Sequence, residues 1–433
     1  MKKKEFFYKG RHIHMVGVSG IGMSALSAFL LDKGCKVTGS DTVQSNDIPS
    51  KVKFLGEQSE KNIKKGIDLV IASHAISIDN EELKKSLDLK IPVLTYPEAV
   101  GRLTDGFKLI CVSGTHGKST TTSMLSRILI DAGLDPNIIV GTRVPELDGK
   151  NYRIGKSNLF LLESCEYKES FLHYHPDVLV ITNIEPDHLD HYVTEDNYFR
   201  AFKEYLENVK KGGVVIANGD DAPSLDVIEG YEGHKEIVSF LNNAPLNLKV
   251  IGKHNQYNAW HAIFAAKSLG VKEEDAIKSL EKFEGTWRRL EYKGDFNGAK
   301  VYDDYGHHPT EVTVTLSALK HEFPHKKIVC VFQPHQYSRM ISFFDEFVES
   351  LQAAYYVIIP DIYEVRDAKE DIDEVDVDEF VQAINEYEGI DRAVNGEGLD
   401  NTANILKRIL THNDICVIMG AGNVTQICDL LLK

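Results

Sequence analysis

Read for apolar and polar positions alone, the chain repeats one pattern three times. An apolar run of strand length is followed by a turn of small or polar residues and then by a helix-like stretch. The first instance is "HIHMVGV" leading into "SGIGMSALSAFLLDKG", with Gly34 where a helix C-cap belongs. "KVTGSD", ending at Asp41, and the runs "DLVIAS" and "IPVLTY" extend the block. A second block starts near Phe107 with "KLICVSG" and continues through "NLFLLES", "PDVLVITNI" and "GGVVIANGD". Two helical patterns follow, "KHNQYNAWHAIFAAKSLG" and "KEEDAIKSLEKF". A third block starts near Arg288 and carries "AKVYDDYGHHP", "KKIVCVFQPH", "AYYVIIPDIY" and "DICVIMGAGN". Strands alternating with helices predict parallel, doubly wound sheets. In such sheets ligands gather at the carboxyl ends of the strands, where most of the polar and glycine-rich turns fall.

Length and composition narrow this picture. At about 150 residues per domain, 433 residues predict roughly three domains. The net charge of −16 argues against nucleic acid as a partner, which needs a basic face. The N-terminal "MKKKEFFYKG" lacks the apolar core of a signal peptide, and no apolar run approaches the ~20 residues of a membrane span. A cytoplasmic protein, monomer or homodimer, without a membrane partner is expected. The six cysteines form no C-x-x-C pair, so they suggest buried reduced thiols rather than zinc or redox chemistry. The acidic stretch 364–380 reads as solvated surface.

Candidate chemistry starts at "VSGTHGKSTTTSML". Its Gly-Lys-Ser ending belongs to a phosphate-binding loop, yet the usual G-x-x-x-x-G-K-[ST] spacing would put the first glycine at Val112. The loop is instead Gly114-x-x-Gly117-Lys118-Ser119, two residues short. It keeps what a phosphate needs: glycines for close backbone approach, a lysine charge, a hydroxyl for Mg²⁺ and a helix N-terminus. Downstream, Glu163 and Glu166 follow one apolar strand, and Asn183, Glu185, Asp187, His188 and Asp190 follow another. Each alone is an ordinary loop residue. Together they form a candidate metal and phosphate cluster. Near the start, "GVSGIGMS" nearly matches the dinucleotide fingerprint, but Ser19 stands where its second glycine belongs. The turn still suits a diphosphate, and Asp41 falls near where an acid meets a ribose hydroxyl. A nucleotide or nucleotide sugar is expected there rather than NAD specifically.

"GVSGIGMSA", "GTHGKSTTT", "TNIEPDHLDHY", "KHNQYN", "GTWRRLE", "DDYGHHPTE" and "VFQPHQYSR" occur in this order, and with them the chain resembles the Mur ligase family over essentially its whole length. The resemblance implies an α/β fold of three domains. These are a Rossmann-like N-terminal domain over 1–106, a central P-loop ATPase-like parallel-sheet domain over 107–287, and a Rossmann-like C-terminal domain over 288–433. It implies an ATP-dependent ligase joining UDP-N-acetylmuramate to L-alanine through an acyl phosphate in peptidoglycan precursor synthesis, with Mg²⁺, or Mn²⁺ in its place. It implies too that the short loop binds ATP.

Residue by residue, the resemblance places ATP against Gly114, Thr115, His116, Gly117, Lys118, Ser119 and Thr120. Asn255 and Asn258 are expected at the adenine, and Arg289 and Asp304 at the phosphates and ribose. Two metal ions are expected, one held by Ser119 and a second by Glu166 and His188. The sugar nucleotide is expected against Ser19, Gly20, Ile21, Gly22, Asp41, Ser73 and His74, and the acceptor and amino acid against His307 and Arg339. His307 or His308 is a candidate base for the amine. Closure of the third block over the second is expected to exclude water from the acyl phosphate. Four features depart from the family pattern. Cys165 replaces an acid, Gln336 and Tyr96 each replace an arginine, and the stretch between Gly219 and Gly252 is short. The alternatives are a recycling ligase that joins a peptide to the same sugar nucleotide, a folate-polyglutamate ligase, a nucleotide-sugar-binding regulator without catalysis and an NAD dehydrogenase. The first block counts against the folate reading. The presence together of Lys118, Glu166, His188 and Arg289 counts against the regulator, and Ser19 against the dehydrogenase.

Overall fold

The computed structural model describes residues 6–240, 242–365, 367 and 369–433, without the side chains of 189, 190 and 370. Asp190, one of the candidate cluster residues, therefore falls outside the described side chains. The chain forms two compact units. One comprises residues up to Asn247 together with Tyr257–Phe283, and the other Leu248–Gln256 together with Glu284–Lys433.

The first unit contains two sheets. Strands β1 (His12–Val16), β2 (Lys36–Ser40), β3 (Lys53–Phe54), β4 (Leu69–Ala72) and β5 (Val93–Thr95) pair in parallel in the order β3-β2-β1-β4-β5. The reversal of strand order at β1/β4 opens a crevice beyond their carboxyl ends. Helix α1 (Ile21–Asp32) follows β1 and ends where Gly34 takes φ +77, the left-handed position expected of a C-cap glycine. "IPVLTY" is shorter as a strand than its pattern suggests. Thr95 and Glu98 form a capping box, so Tyr96 already starts a helix.

The second sheet has the order β12-β11-β10-β6-β9-β7-β8. Its strands are β6 (Lys108–Ser113), β7 (Asn137–Val144), β8 (Lys150–Arg153), β9 (Leu159–Glu163), β10 (Val178–Ile181), β11 (Val214–Asn218) and β12 (His234–Val238). All pair in parallel except the β7–β8 hairpin. The short stretch after Gly219 holds one helix, Ala222–Glu229, and the edge strand β12. One continuous core joins the two sheets. Phe29 of α1 lies 5.2 Å (ring centroids) from Phe160 of β9 and 6.4 Å from Tyr152 of β8.

The second unit is built on a six-stranded sheet of order β13-β14-β18-β15-β16-β17. Its strands are β13 (Glu291–Phe296), β14 (Ala299–Asp304), β15 (Lys327–Phe332), β16 (Tyr356–Ile359), β17 (Ala393–Asn395) and β18 (Asp414–Met419). Only β13–β14 is antiparallel, and each face carries its own apolar cluster. The acidic stretch 364–380 is not wholly solvated. Val375 and Phe380 are buried, and Asp376 caps the helix Val377–Glu388. Residues 366 and 368 of that stretch lie outside the described residues. Five cysteines are buried and free, as expected, but Cys165 is exposed.

Candidate active site

The short loop between β6 and the helix Lys118–Asp131 is shaped by its two glycines. Gly114 has φ +122, and a Cβ there would lie 2.2 Å from Thr182 Oγ1. Gly117, the helix N-cap, has φ +82, and a Cβ there would lie 2.3 Å from Asn258 Oδ1. Only glycine meets both demands, backbone conformation and close approach. The loop is stitched to the turn after β10. Thr115 N–H donates to the Asn183 carbonyl (3.0 Å), His116 N–H to Asn183 Oδ1 (3.0 Å), and Asn183 Nδ2 to the His116 carbonyl (2.9 Å). His116 Nε2 lies 3.1 Å from Glu185 Oε2. Asn258, expected at the adenine, packs here against the loop and accepts from Thr121 Oγ1 (3.2 Å). Thr120 is buried in the first helical turn.

Lys118 Nζ donates to the Gly114 carbonyl (2.6 Å), the Thr115 carbonyl (2.8 Å) and Glu166 Oε1 (2.9 Å). Burial works to lower the pKa of this ammonium, but the Glu166 charge and hydrogen bond outweigh it, so the group is held above its ordinary value and stays cationic. Ser119 Oγ donates to Glu163 Oε1 (2.9 Å), and Gly141 N–H donates to Glu163 Oε2 (2.7 Å). Glu166 is buried, and His188 Nε2 lies 3.7 Å from its Oε1. Tyr192 Oη fixes the glutamate from behind by donating to its backbone carbonyl (2.5 Å). Strain gathers here. His188 (φ 55), Lys168 (φ 51) and Glu169 (φ 55) all adopt left-handed backbone without being glycine, a pattern typical of sites where geometry matters more than stability. The structure thus brings Gly114–Thr120, Glu163, Glu166, His188 and Asn258 together. A cation cradle, the buried Glu166 and half-buried Glu163 carboxylates, a hydroxyl and an imidazole are a donor set suited to a polyphosphate and a hard divalent metal.

At the first sheet, the turn Ser19–Gly22 sits at the carboxyl end of β1. Asp41 does not point away from it as a free ribose acceptor would. Its Oδ2 accepts from Ser19 N–H (2.9 Å) and its Oδ1 from Thr42 N–H (2.8 Å). Ser19 Oγ donates to the Val43 carbonyl (2.5 Å). Gly20 N-caps α1, and the Ile21 carbonyl accepts from Asn151 Nδ2 (2.6 Å). A Cβ on Gly22 would lie 2.8 Å from Tyr96 Cζ, so the tyrosine ring covers the first turn of α1. Ser73 approaches Gly17 to 3.0 Å of its notional Cβ, and His74 Nδ1 lies 3.2 Å from Ser170 Oγ.

In the second unit, Arg289 and His307 converge on one carboxylate. Arg289 Nη1 lies 3.6 Å from Glu311 Oε1, and His307 Nδ1 3.4 Å from Glu311 Oε2. Asp304 is buried beside them, accepting from Leu290 N–H (2.7 Å) and Gly306 N–H (2.8 Å). Burial raises its pKa to about 6, with Arg289 opposing. Arg339 lies on the helix Tyr337–Ser342. Gln336, its N-cap at φ 72, donates to the Val365 carbonyl (3.1 Å), so its amide secures a loop. Asn255 belongs to this unit, unlike Asn258, and donates to the Ile251 carbonyl (2.7 Å). The arginine pair divides its labour. Arg288 is buried, contacts Asp303 (3.2 Å) and the carbonyls of Gly420 and Gly422, and locks strand ends together, whereas Arg289 remains partly exposed. Sequence reasoning missed Arg288, Tyr192 and Gly141. The doubled arginine was visible, but not which copy turns inward.

Three segments match domains of one family: residues 12–108 the Mur ligase family catalytic domain, 112–245 the Mur ligase middle domain, and 288–422 the Mur ligase, glutamate ligase domain. The UDP-N-acetylmuramate–L-alanine ligase of Clostridium kluyveri is 38% identical, with 99% of each chain covered. The crystal structure of the UDP-N-acetylmuramate-alanine ligase of Thermotoga maritima is 25% identical with a TM-score of 0.79, covering 97% of this chain and 98% of that one. A murein peptide ligase from Psychrobacter arcticus shares the fold, with a TM-score of 0.70 at 24% identity and 98% of each chain covered.

Proposed function

The chain belongs to the Mur ligase family, and on that premise we propose that it forms the amide between UDP-N-acetylmuramate and L-alanine at the expense of ATP. The observation that carries this reading is the glycine cradle of Gly114 and Gly117 with cationic Lys118 beside buried Glu166, in a chain alike end to end to a ligase named for that reaction. The muramyl carboxylate oxygen attacks the γ-phosphorus and ADP leaves. The alanine nitrogen then attacks the acyl carbon, inorganic phosphate leaves, and the amine gives up its proton.

Phosphoryl transfer of this kind rests on positioning and charge neutralisation. Lys118 supplies a fixed positive charge to the β- and γ-phosphates, and the loop N–H groups approach them where a side chain would intrude. Ser119 would hold one Mg²⁺ or Mn²⁺ and Glu166 with His188 a second, and such ions would offset phosphate charge. Glu163, gripped by Ser119 and Gly141, orients the Ser119 hydroxyl. In the second unit, Arg289 and Asp304 serve the nucleotide and His307 and Arg339 the acceptor and amino acid. The turn Ser19–Gly22, with Asp41, Ser73 and His74, serves the sugar nucleotide.

The test is phosphate release with ATP, Mg²⁺ and UDP-N-acetylmuramate across the twenty amino acids and a free peptide with an N-terminal L-alanine. L-alanine is expected to give the highest kcat/KM. Turnover with the peptide alone would make this a recycling ligase. Binding of UDP-N-acetylmuramate without any turnover would make it a regulator.

A further inference from the structure

The candidate sugar-nucleotide turn is held by more than its own sheet. The loop after β2 wraps back over Ser19. Ser45 N–H donates to Ser19 Oγ (3.3 Å), and Ser45 Oγ and Asp47 exchange hydrogen bonds (3.3 Å, and 3.1 Å from Asp47 N–H). The far end of that loop is gripped from the second sheet. Arg143, on β7, donates from Nε to Asp47 Oδ1 (3.2 Å) and from Nη2 to Asp47 Oδ2 (2.9 Å), a bidentate fork. A polar chain therefore runs Arg143–Asp47–Ser45–Ser19 from the central sheet to the turn. On the other flank, buried Asn151 of β8 donates to the Ile21 carbonyl. The same strand β7 offers Gly141 N–H to Glu163, which holds Ser119 of the phosphate loop. One hairpin thus touches the supports of both nucleotide sites.

We propose that Arg143 is a positioning residue for the sugar nucleotide. Through Asp47 it fixes the loop that orients Ser19, and the β7–β8 hairpin sets the register of that turn against the phosphate loop. This rests on reading Ser19–Gly22 as the sugar-nucleotide site. The Arg143–Asp47 pair is partly exposed, so it contributes little to stability, and its bidentate geometry is what matters.

The experiment is steady-state kinetics of the full-length protein with Arg143→Ala, Arg143→Lys, Asp47→Asn and the charge swap Arg143→Asp/Asp47→Arg, alongside calorimetric titration with UDP-N-acetylmuramate and thermal unfolding. Arg143→Ala and Asp47→Asn are each expected to raise the KM for UDP-N-acetylmuramate about five- to tenfold, the scale of losing one ordinary net hydrogen bond at a partly exposed pair. The kcat and the KM for ATP should move less than about twofold, with Tm nearly unchanged. Arg143→Lys should recover only part of the loss, and the swap should restore more than either of its single changes. Wild-type-like affinity for the sugar nucleotide in folded Arg143→Ala and Asp47→Asn overturns the proposal, as does a fall in kcat at unchanged KM. Failure of the wild-type protein to bind UDP-N-acetylmuramate at all would instead overturn the assignment of the turn.

Discussion

Single residues decide the phosphate loop. At Gly117 an added methyl meets Asn258 Oδ1 and demands a backbone that L side chains rarely adopt. Gly117→Ala is therefore expected to lower ligase kcat/KM for ATP at least about tenfold, since a misplacement of ~1 Å near the chemistry can cost a hundredfold. ATP titration of the folded variant checks it, and a wild-type KM for ATP would mean that the loop lies away from the phosphates. Glu166 and His188 are 3.7 Å apart and propose themselves as ligands of one ion. Each alanine variant should lose most activity, and the double variant little more, because residues acting as a unit are not additive. Losses that multiply at saturating Mg²⁺ would assign them separate tasks. Much at this scale was legible. Lys118, Ser119, Glu166 and His188 stand out by residue type and by sitting after apolar strands, and the fold brings them together. The amide of Gly141 on Glu163 and the hydroxyl of Tyr192 on the Glu166 carbonyl were not, because they join distant segments through atoms whose direction no pattern encodes.

Among the elements, the strands read clearly because buried parallel strands are near-continuous apolar runs. Helix ends read less well. Tyr96 looked like the close of a strand until the Thr95–Glu98 capping box claimed it for a helix. The helix Glu81–Asp88, "EELKKSLD", offers the sharper lesson. In a helix so rich in charge a carboxylate ordinarily faces water, yet Glu82 is fully buried. His14 Nε2 (3.2 Å), Ser40 Oγ (2.6 Å), Asn62 Nδ2 (2.7 Å) and Ser59 N–H (3.2 Å) surround its carboxylate. Burial alone would raise its pKa, but the hydrogen bonds from His14, Ser40 and Asn62 win, and the group is held below its ordinary 4.5. A depressed carboxylate stabilises the fold above its unfolded pKa, and that stability drains away as pH falls through the folded value. Glu82→Ala should cost about 3–5 kcal/mol at pH 7, the scale for breaking a buried pair. Its deficit against wild type should shrink below about pH 4. Urea unfolding at pH 7 and pH 3.5 checks this, and a pH-independent difference would show that the carboxylate charge carries none of the effect.

Across the whole molecule, the order of three α/β blocks was readable, since each announces itself with strand, turn and helix. The two proposed nucleotide sites lie on different sheets of the first unit, which makes them separable in principle. Lys118→Ala should abolish ligation while calorimetry still shows UDP-N-acetylmuramate binding near the wild-type affinity. Loss of that binding in a folded variant would place both nucleotides at one site. What sequence did not reveal is how the first two sheets share a core, because the contact is made by the outer face of α1, whose burial pattern is nearly uniform.

That shared aromatic seam, Phe29 against Phe160 and Tyr152, constrains how the gene can change. A recombination that exchanged the first block for that of another ligase would carry Phe29 away from the rings that cover it, and bare several large apolar side chains on both halves. The block is a module in its motifs but not in its packing. It can be traded only together with the hairpin and the strand that line its back, so a viable crossover must fall beyond Phe160 rather than at the junction where the strand pattern restarts.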